Sequence, residues 1–315
     1  MKVVVQIPCL NEEKTLPLVL ESIPKKIKGV DSIEVLIIDD GSDDKTIEVA
    51  KSYGVKHFVI HPRRKGLARS FHDGINKALE MGADVIVNTD GDNQYPQERI
   101  ADLVQPVINN QADMVIADRQ TNKIAHFSPG KKLMQRVGTR VLNWAAGTNV
   151  PDAPSGFRAY SREAAMQLNV VTRFSYAMET IIQAGNKNMS IVSLPVTTNP
   201  KTRESRLFKN SWEHIRKSGS AIIRAFIMYR PYVVFASLAS FLGILGLIPF
   251  GRYMYFFLFQ HAESAGHIQS LVVGSVLIVG AFVALAMGVI ADLIRINRVL
   301  IEDNLEQTRR ARFDK

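Results

Sequence analysis

Short apolar runs rich in β-branched side chains recur through the first 120 residues, at positions 3–7, 34–38, 57–60, 85–88 and 114–117, and read as buried strands. Between them, residues 14–22, 43–52, 67–81 and 97–109 carry apolar positions at helical spacing. Strand and helix alternating at this interval predict parallel strands joined by crossover helices, an α/β sheet with helices on both faces. Farther on, Asp152-Ala153-Pro154-Ser155-Gly156-Phe157-Arg158-Ala159-Tyr160 reads as a turn into another strand and residues 190–196 as a last one, while residues 122–150 have weak periodicity. The last quarter differs in kind. Residues 231–251 and 264–291 contain no Asp, Glu, Lys or Arg. At about 1.5 Å per residue each run is long enough to cross a hydrocarbon core of roughly 30 Å. Two membrane helices are therefore predicted, near 231–250 and 270–293, with 253–259 either extending the first or lying in the interface.

The mean hydropathy of +0.01 hides this segregation. So does the formal charge of +9 for the 315 residues. Lys and Arg stand against Asp and Glu as 24 to 22 in residues 1–200, 8 to 2 in 201–230 and 6 to 4 in 295–315. The charge thus belongs mainly to a collar just before the first apolar run, which favours an anionic membrane as partner over nucleic acid. No stacking aromatics interleave with the basic residues, so no nucleic acid is expected. Phe208, Trp212, Ile215, Ile222, Phe226 and Tyr229 fall on one helical face, which predicts an interfacial amphipathic helix over 208–230. Arg216, Lys217, Arg224 and Arg230 precede the first span and Arg295, Arg298, Arg309, Arg310 and Arg312 follow the second, whereas Arg252 and Glu263 alone lie between. By the positive-inside rule both termini are cytoplasmic. The start, Met1-Lys2-Val3-Val4-Val5, turns polar at Gln6, too soon for a signal peptide, so the first domain is expected in the cytosol. The domains are a catalytic 1–207, the 208–230 helix, a 231–294 hairpin and a basic 295–315 tail. The lone Cys9 excludes an intrachain disulfide and reads as a small apolar residue at a strand end.

Candidate chemistry sits where strands end, which is where such sheets bind ligands. Asp39-Asp40-Gly41-Ser42 follows the second strand and Asp90-Gly91-Asp92-Asn93-Gln94 the fourth, and Asp118-Arg119 closes the fifth. Turn-making and helix capping would explain any one of these clusters; acidic clusters on one edge point instead to a cation among them. Asp90 and Asp92, with the Gln94 amide oxygen, offer hard oxygen donors suited to Mg²⁺ or Mn²⁺ bridging to a diphosphate. His57 and His61 are four apart on a strand, where that spacing does not bring them together, so core or surface roles are expected of both. There is neither G-x-x-x-x-G-K-[ST] nor G-x-G-x-x-G. Trp144 and Trp212 read as packing or interfacial anchors.

Pro8-Cys9-Leu10-Asn11-Glu12-Glu13, Asp39-Asp40-Gly41-Ser42, Lys65-Gly66-Leu67-Ala68, Asp90-Gly91-Asp92-Asn93-Gln94, Ser155-Gly156-Phe157-Arg158-Ala159-Tyr160 and Arg203-Glu204-Ser205-Arg206-Leu207 occur in the order found in polyprenyl-phosphate glycosyltransferases. Over residues 1–210 the chain resembles these dolichyl-phosphate mannose synthase-like members of glycosyltransferase family 2, which have a GT-A fold. The paired C-terminal spans resemble the bacterial polyprenyl-phosphate glucosyltransferase branch. The resemblance implies that Pro8, Leu10, Glu12 and Asp40 line the base and ribose of a nucleotide sugar with Asp39 in support, and that Asp90, Asp92 and Gln94 form the metal site around Gly91. It also implies that Arg203 and Arg206 reach the donor diphosphate, and that Arg119, Arg136 and Arg140 hold the acceptor phosphate. Arg136 and Arg140 are four apart, so both can project from one helical face. Two positions depart from the family: Gly91 replaces the usual Ala, and Arg206 stands where Lys is common.

The expected reaction moves a hexose from a UDP- or GDP-linked donor to polyprenyl phosphate at the cytoplasmic membrane face, with inversion. A phosphate acceptor whose second pKa is about 6 needs little help from a general base, so the absence of a catalytic histidine is unsurprising. The harder task is to bring two anions together and stabilise the departing diphosphate, which a metal and arginines do. The partners expected are the nucleotide sugar, the polyprenyl phosphate and the bilayer, and the spans also admit a homo-oligomer. The alternative is a catalytically idle membrane module that binds nucleotide sugar or recruits a flippase. A processive polysaccharide synthase is disfavoured because its Q-x-x-R-W motif is absent.

Overall fold

The structure is a computed structural model and describes residues 1–121, 129–170, 176–200, 227–259 and 268–313. The described chain divides into two compact units, Met1–Ile222 with Glu302–Lys315, and Ile223–Ile301.

In the first unit all seven predicted strands form one sheet in the order β3-β2-β1-β4-β6-β5-β7. They are β1 (Lys2–Cys9), β2 (Ser32–Asp39), β3 (His57–Ile60), β4 (Val85–Asn88), β5 (Met114–Asp118), β6 (Arg158–Ser161) and β7 (Ile191–Pro195). The first four are parallel neighbours and β5 is parallel to β7, while β6 runs antiparallel between β4 and β5. This is the mostly parallel α/β sheet that the alternation predicted, and it agrees with the GT-A fold that the resemblance implied.

Helices α1 (Leu16–Ser22), α2 (Thr46–Ser52), α3 (Leu67–Glu80) and α4 (Ile100–Ile108) follow the first four strands, with a 3-10 turn Gln97–Arg99 before α4. The weakly periodic stretch contains α5 (Pro129–Ala146). The short α6 (Arg162–Gln167) and α7 (Tyr176–Asn186) separate β6 from β7. Both faces of β1 are buried because alternate side chains meet different helices. Val3, Val5, Ile7 and Cys9 join Leu16, Val19, Ile100 and Val104 in one core. On the opposite face α3 lies so close that a Cβ on Gly74 would sit 2.5 Å from Gln6 Oε1 and 2.9 Å from Ile38 Cδ1. Arg158 is 0% exposed, and its guanidinium donates to the carbonyls of Ala153, Ser155 and Ala177 and to Thr180 Oγ1 at 2.7–2.9 Å. It ties the 153–158 turn to α7.

The second unit contains α8 (Pro231–Phe259) and most of α9 (Ile268–Phe313), both long and apolar enough to cross a membrane. Residues 253–259 extend the first of them. The two helices approach closely at small residues: a Cβ on Gly274 would lie 2.8 Å from Phe250 N and 2.9 Å from Gly246 O. Helix α9 continues through the expected tail, and its end from Glu302 belongs to the first unit. Of the interfacial helix expected over 208–230, residues up to 226 lie outside the described residues.

Candidate functional site

Register brings the strand ends together. Cys9 is level with Asp39, and Asp39 with Ile60, so the loops that follow emerge on one edge. The ladder continues for one step, with Asp40 N–H donating to Cys9 O and His61 N–H to Asp39 O, each at 2.9 Å. The loop after β1 is laced to that after β2. Asn11 N–H donates to Ser42 Oγ at 2.9 Å, Glu12 N–H to Thr46 Oγ1 at 2.8 Å, and Asp43 N–H to Asn11 Oδ1 at 2.8 Å. Asp39 accepts from Ser42 through its backbone N–H and its hydroxyl. Asp40 is buried, accepting from Lys65 N–H and Gly66 N–H at 2.8 Å and meeting His61 Nδ1 at 2.9 Å. Gly41 has φ +82°, and a Cβ there would press to 3.1 Å from the Arg63–Arg64 peptide. Pro8, Glu12, Asp39 and Asp40 therefore converge on one edge with Leu10. The two aspartates, however, also hold the loops that shape it.

The acidic triplet follows β4. Gly91 explains itself by packing: a Cβ would lie 3.2 Å from both Cys9 Sγ and Glu12 Cγ. The hydroxyl of Thr15 lies 2.8 Å from both Glu12 Oε2 and Gly91 O, joining the Pro8–Glu13 motif to the Asp90–Gln94 motif. Gln94 turns back on Asp92, donating from its backbone N–H at 3.1 Å and its side-chain amide at 2.9 Å. Asn199 N–H donates to Gln94 O at 2.9 Å and its side chain to Asn93 O at 3.1 Å, anchoring the chain that leads toward Arg203 and Arg206. Those two arginines lie outside the described residues.

Beneath the triplet lies a polar network that the sequence did not single out. Gln6 Nε2 donates to Asn88 Oδ1, and Asn88 Nδ2 lies within 2.9 Å of Gly156 O and Tyr176 Oη. Gly156 N–H donates to Tyr95 Oη at 2.9 Å. Asn88 ends an apolar strand and the two tyrosines lie on other elements, so only the Asn at a strand terminus was a visible signal. Burial, and then the Asp90 carboxylate, push the Tyr176 phenol far up. Burial likewise raises the Cys9 thiol, assisted by Glu12, Asp39, Asp44 and Asp90. Several carboxylates thus act together at this edge.

Positive groups stand beyond it. Arg119 meets the buried Asp152 through Nε at 2.7 Å and Nη2 at 2.9 Å. Burial opposes its charge, but Tyr95, Asp152 and Asp90 outweigh this and hold the guanidinium above its ordinary value. A cavity of about 290 Å³ opens alongside, lined by Thr121, Arg136, Thr139, Arg140, Asn143 and Asp152 among others. Arg136 and Arg140 share this cavity from α5, whereas two of the three guanidinium nitrogens of Arg119 are engaged with Asp152. His57 pairs with Glu34 at 3.0 Å on the sheet, and His61 lies between Asp40 and Asp73.

The family described as Glycosyl transferase family 2 matches residues 4–168, just over half of the chain. The low-salt glycan biosynthesis hexosyltransferase Agl6 of Haloferax volcanii is 30% identical over 221 residues, a match covering 67% of this chain and 52% of that protein, about half its length. The UDP-N-acetylglucosamine–dolichyl-phosphate N-acetylglucosaminyltransferase of Methanococcus voltae is 27% identical, covering 61% of this chain and 83% of that one. The undecaprenyl-phosphate mannosyltransferase of Micrococcus luteus is also 27% identical, covering 62% and 83%. Among solved structures, glucosyl-3-phosphoglycerate synthase from Mycobacterium tuberculosis, in complex with Mn²⁺, UDP-glucose and phosphoglyceric acid, aligns with a TM-score of 0.54 at 22% identity. That alignment covers 72% of this chain and 78% of that one. The likeness is one of fold, and with the family pattern running from β1 through α6 the chain belongs to glycosyl transferase family 2.

Proposed function

We propose that the protein transfers a hexose from a nucleotide sugar to a polyprenyl phosphate at a membrane surface, inverting the anomeric configuration. The observation that carries this is an acidic edge at Asp90 and Asp92 beside a cavity presenting Arg136 and Arg140, in a chain with two apolar spans. The named relatives that act on dolichyl or undecaprenyl phosphate support the acceptor class.

A divalent cation suits this edge. Its donors are hard carboxylate oxygens, and beside the effect of burial the charges of Glu12, Asp39, Asp44 and Asp90 all act on the Cys9 thiol, which places several carboxylates at this edge. Among the described residues no three His, Cys, Asp or Glu side chains converge on one point. Asp90 and Asp92 would therefore hold Mg²⁺ or Mn²⁺ together with donor oxygens, with Gln94 positioning Asp92. When bound, such an ion neutralises charge on the departing diphosphate. The loops at Pro8, Leu10, Glu12, Asp39 and Asp40 would seat the nucleoside, and Arg203 and Arg206 would meet the diphosphate. Arg136 and Arg140 orient the acceptor phosphate, whose oxygen forms the new bond at the anomeric carbon from the face opposite the leaving group. The carbon–oxygen bond to the donor breaks with its electron pair leaving on the nucleoside diphosphate. Arg119 keeps Asp152 in place at the wall of the cavity.

The test is a donor screen on the purified full-length protein with UDP- and GDP-hexoses, Mn²⁺ or Mg²⁺, and undecaprenyl or dolichyl phosphate. A glycolipid is expected from at least one pairing, and Asp92→Ala is expected to lower its formation by about a thousandfold. Undiminished activity in that variant would remove the metal role. Nucleotide binding without release of nucleoside diphosphate in every pairing would favour the idle binding module.

A further inference from the structure

Arg309 lies near the C-terminal end of α9, within the catalytic unit, and is 4% exposed. Its Nη1 donates to the carbonyls of Leu168, Met166 and Ala165 at 2.6, 3.1 and 3.4 Å. These are acceptors at the C-terminal end of α6, where a cation also complements the helix dipole. Neighbours reinforce the docking: Arg310 pairs with Glu163 and Glu306, Lys187 Nζ lies 3.3 Å from Glu306, and Arg162 Nη2 donates to Phe313 O at 2.5 Å. The other branch of the Arg309 fork points elsewhere. Nη2 donates to His72 Nε2 at 3.3 Å.

From His72 a line of polar contacts runs inward. His72 Nδ1 lies 3.3 Å from Asp73 Oδ1, so the ring accepts at one nitrogen and donates at the other, as a neutral imidazole does. Asp73 Oδ2 lies 3.1 Å from His61 Nε2, and His61 Nδ1 lies 2.9 Å from Asp40 Oδ1. Asp40 in turn holds the N–H groups of Lys65 and Gly66, each at 2.8 Å. The loop so held is the one that packs on Gly41. Arg69 Nε also reaches Asp73, at 3.0 Å, bracing the middle of the line from α3.

We infer that Arg309 is a positioning residue for the donor loop, acting through His72, Asp73 and His61 on Asp40. The inference rests on the reading that the Asp39–Asp40 edge seats the donor. Each link is a directional contact, part-buried at His72 and Asp73 and buried between His61 and Asp40, where loss of one donor leaves its partner free to reorient. Arg309 stands in the end of α9 from Glu302, which belongs to the catalytic unit. Because that segment continues the helix that carries the second apolar span, it offers a polar route from the end of a membrane helix to the donor loop.

Amide hydrogen exchange on the full-length protein in detergent tests this directly, because the Lys65 and Gly66 amides are the last donors in the line. Arg309→Met is expected to speed their exchange on the order of tenfold. It should weaken UDP or GDP binding in Mn²⁺ by a similar factor, and raise the donor KM while leaving kcat within about twofold. Arg310→Ala, which loosens the same segment without touching the line, should change none of these by more than about twofold. In the double variant with His61→Asn the effect of Arg309→Met should vanish, since the line is already cut. Unchanged exchange at residues 65 and 66 in Arg309→Met, equal acceleration in Arg310→Ala, or additive effects in the double variant would each overturn the inference. If Arg309→Met does not fold, Arg309→Lys keeps the charge but loses the fork, and exchange as slow as wild type there also overturns it. Should the wild type bind neither nucleotide, the donor reading fails while the exchange comparison still decides the relay.

Discussion

Arg158 shows how a residue in a recognisable motif can serve the fold rather than the chemistry. All three of its guanidinium nitrogens donate, to three carbonyls and a threonine hydroxyl inside the protein. Truncation to Met should therefore cost about 3 kcal/mol by leaving those acceptors bare, and Lys should not restore it because an ammonium lacks the planar fork. Denaturant unfolding of the detergent-solubilised protein measures both. Gly91 makes a related point. It stands where Ala is usual in the resembled family, a difference that the sequence leaves unexplained and that contact with Cys9 and Glu12 accounts for. The motif marked Asp40 as a candidate donor-site residue but not its grip on Lys65, Gly66 and His61, since those partners lie more than twenty residues away.

At the level of elements, α3 joins the sheet to the end of α9 through His72. Burial lowers the pKa of that imidazole, Arg309 and Arg69 lower it further, and the Asp73 hydrogen bond only partly offsets them. A depressed folded-state value means that the unfolded chain takes up the proton first. Stability is thus retained above the ordinary imidazole value of about 6.5 and lost progressively as the pH falls below it. Melting temperatures between pH 5 and 8 should show this slope, and His72→Gln should flatten it. The two apolar helices α8 and α9 meet at glycine. Gly274→Ala should lower the melting temperature by several degrees, on the order of 1 kcal/mol, because a Cβ would meet backbone of the facing helix at 2.8 Å. Gly280→Ala is the control, since its Cβ would make an ordinary 3.7 Å contact with Leu242 Cδ1. The strands were legible from their β-branched runs. Helix α5 was legible only through the pair Arg136 and Arg140 four residues apart, because its positions face a polar cavity on one side and dilute the apolar period.

For the whole molecule, the positive-inside rule predicts that the connection 260–267 faces outward and the catalytic unit inward. The lone Cys9 is buried and its thiol raised, so it should stay silent toward maleimides while an introduced cysteine reports its own location. Ser264→Cys in intact cells should react with a membrane-impermeant maleimide; protection there, with reaction only after lysis, would invert the topology. The sequence by itself determined the alternating α/β unit, the two apolar spans and the placement of acidic motifs at strand ends, because each is written in local periodicity or in composition. Tertiary structure alone decided that β6 enters the sheet antiparallel, that Arg119 is bound to Asp152, and that the end of α9 returns to the catalytic unit through Arg309. Those are pairings between residues distant in the chain, and they depend on shape and on which buried polar groups must find partners, which no local pattern records.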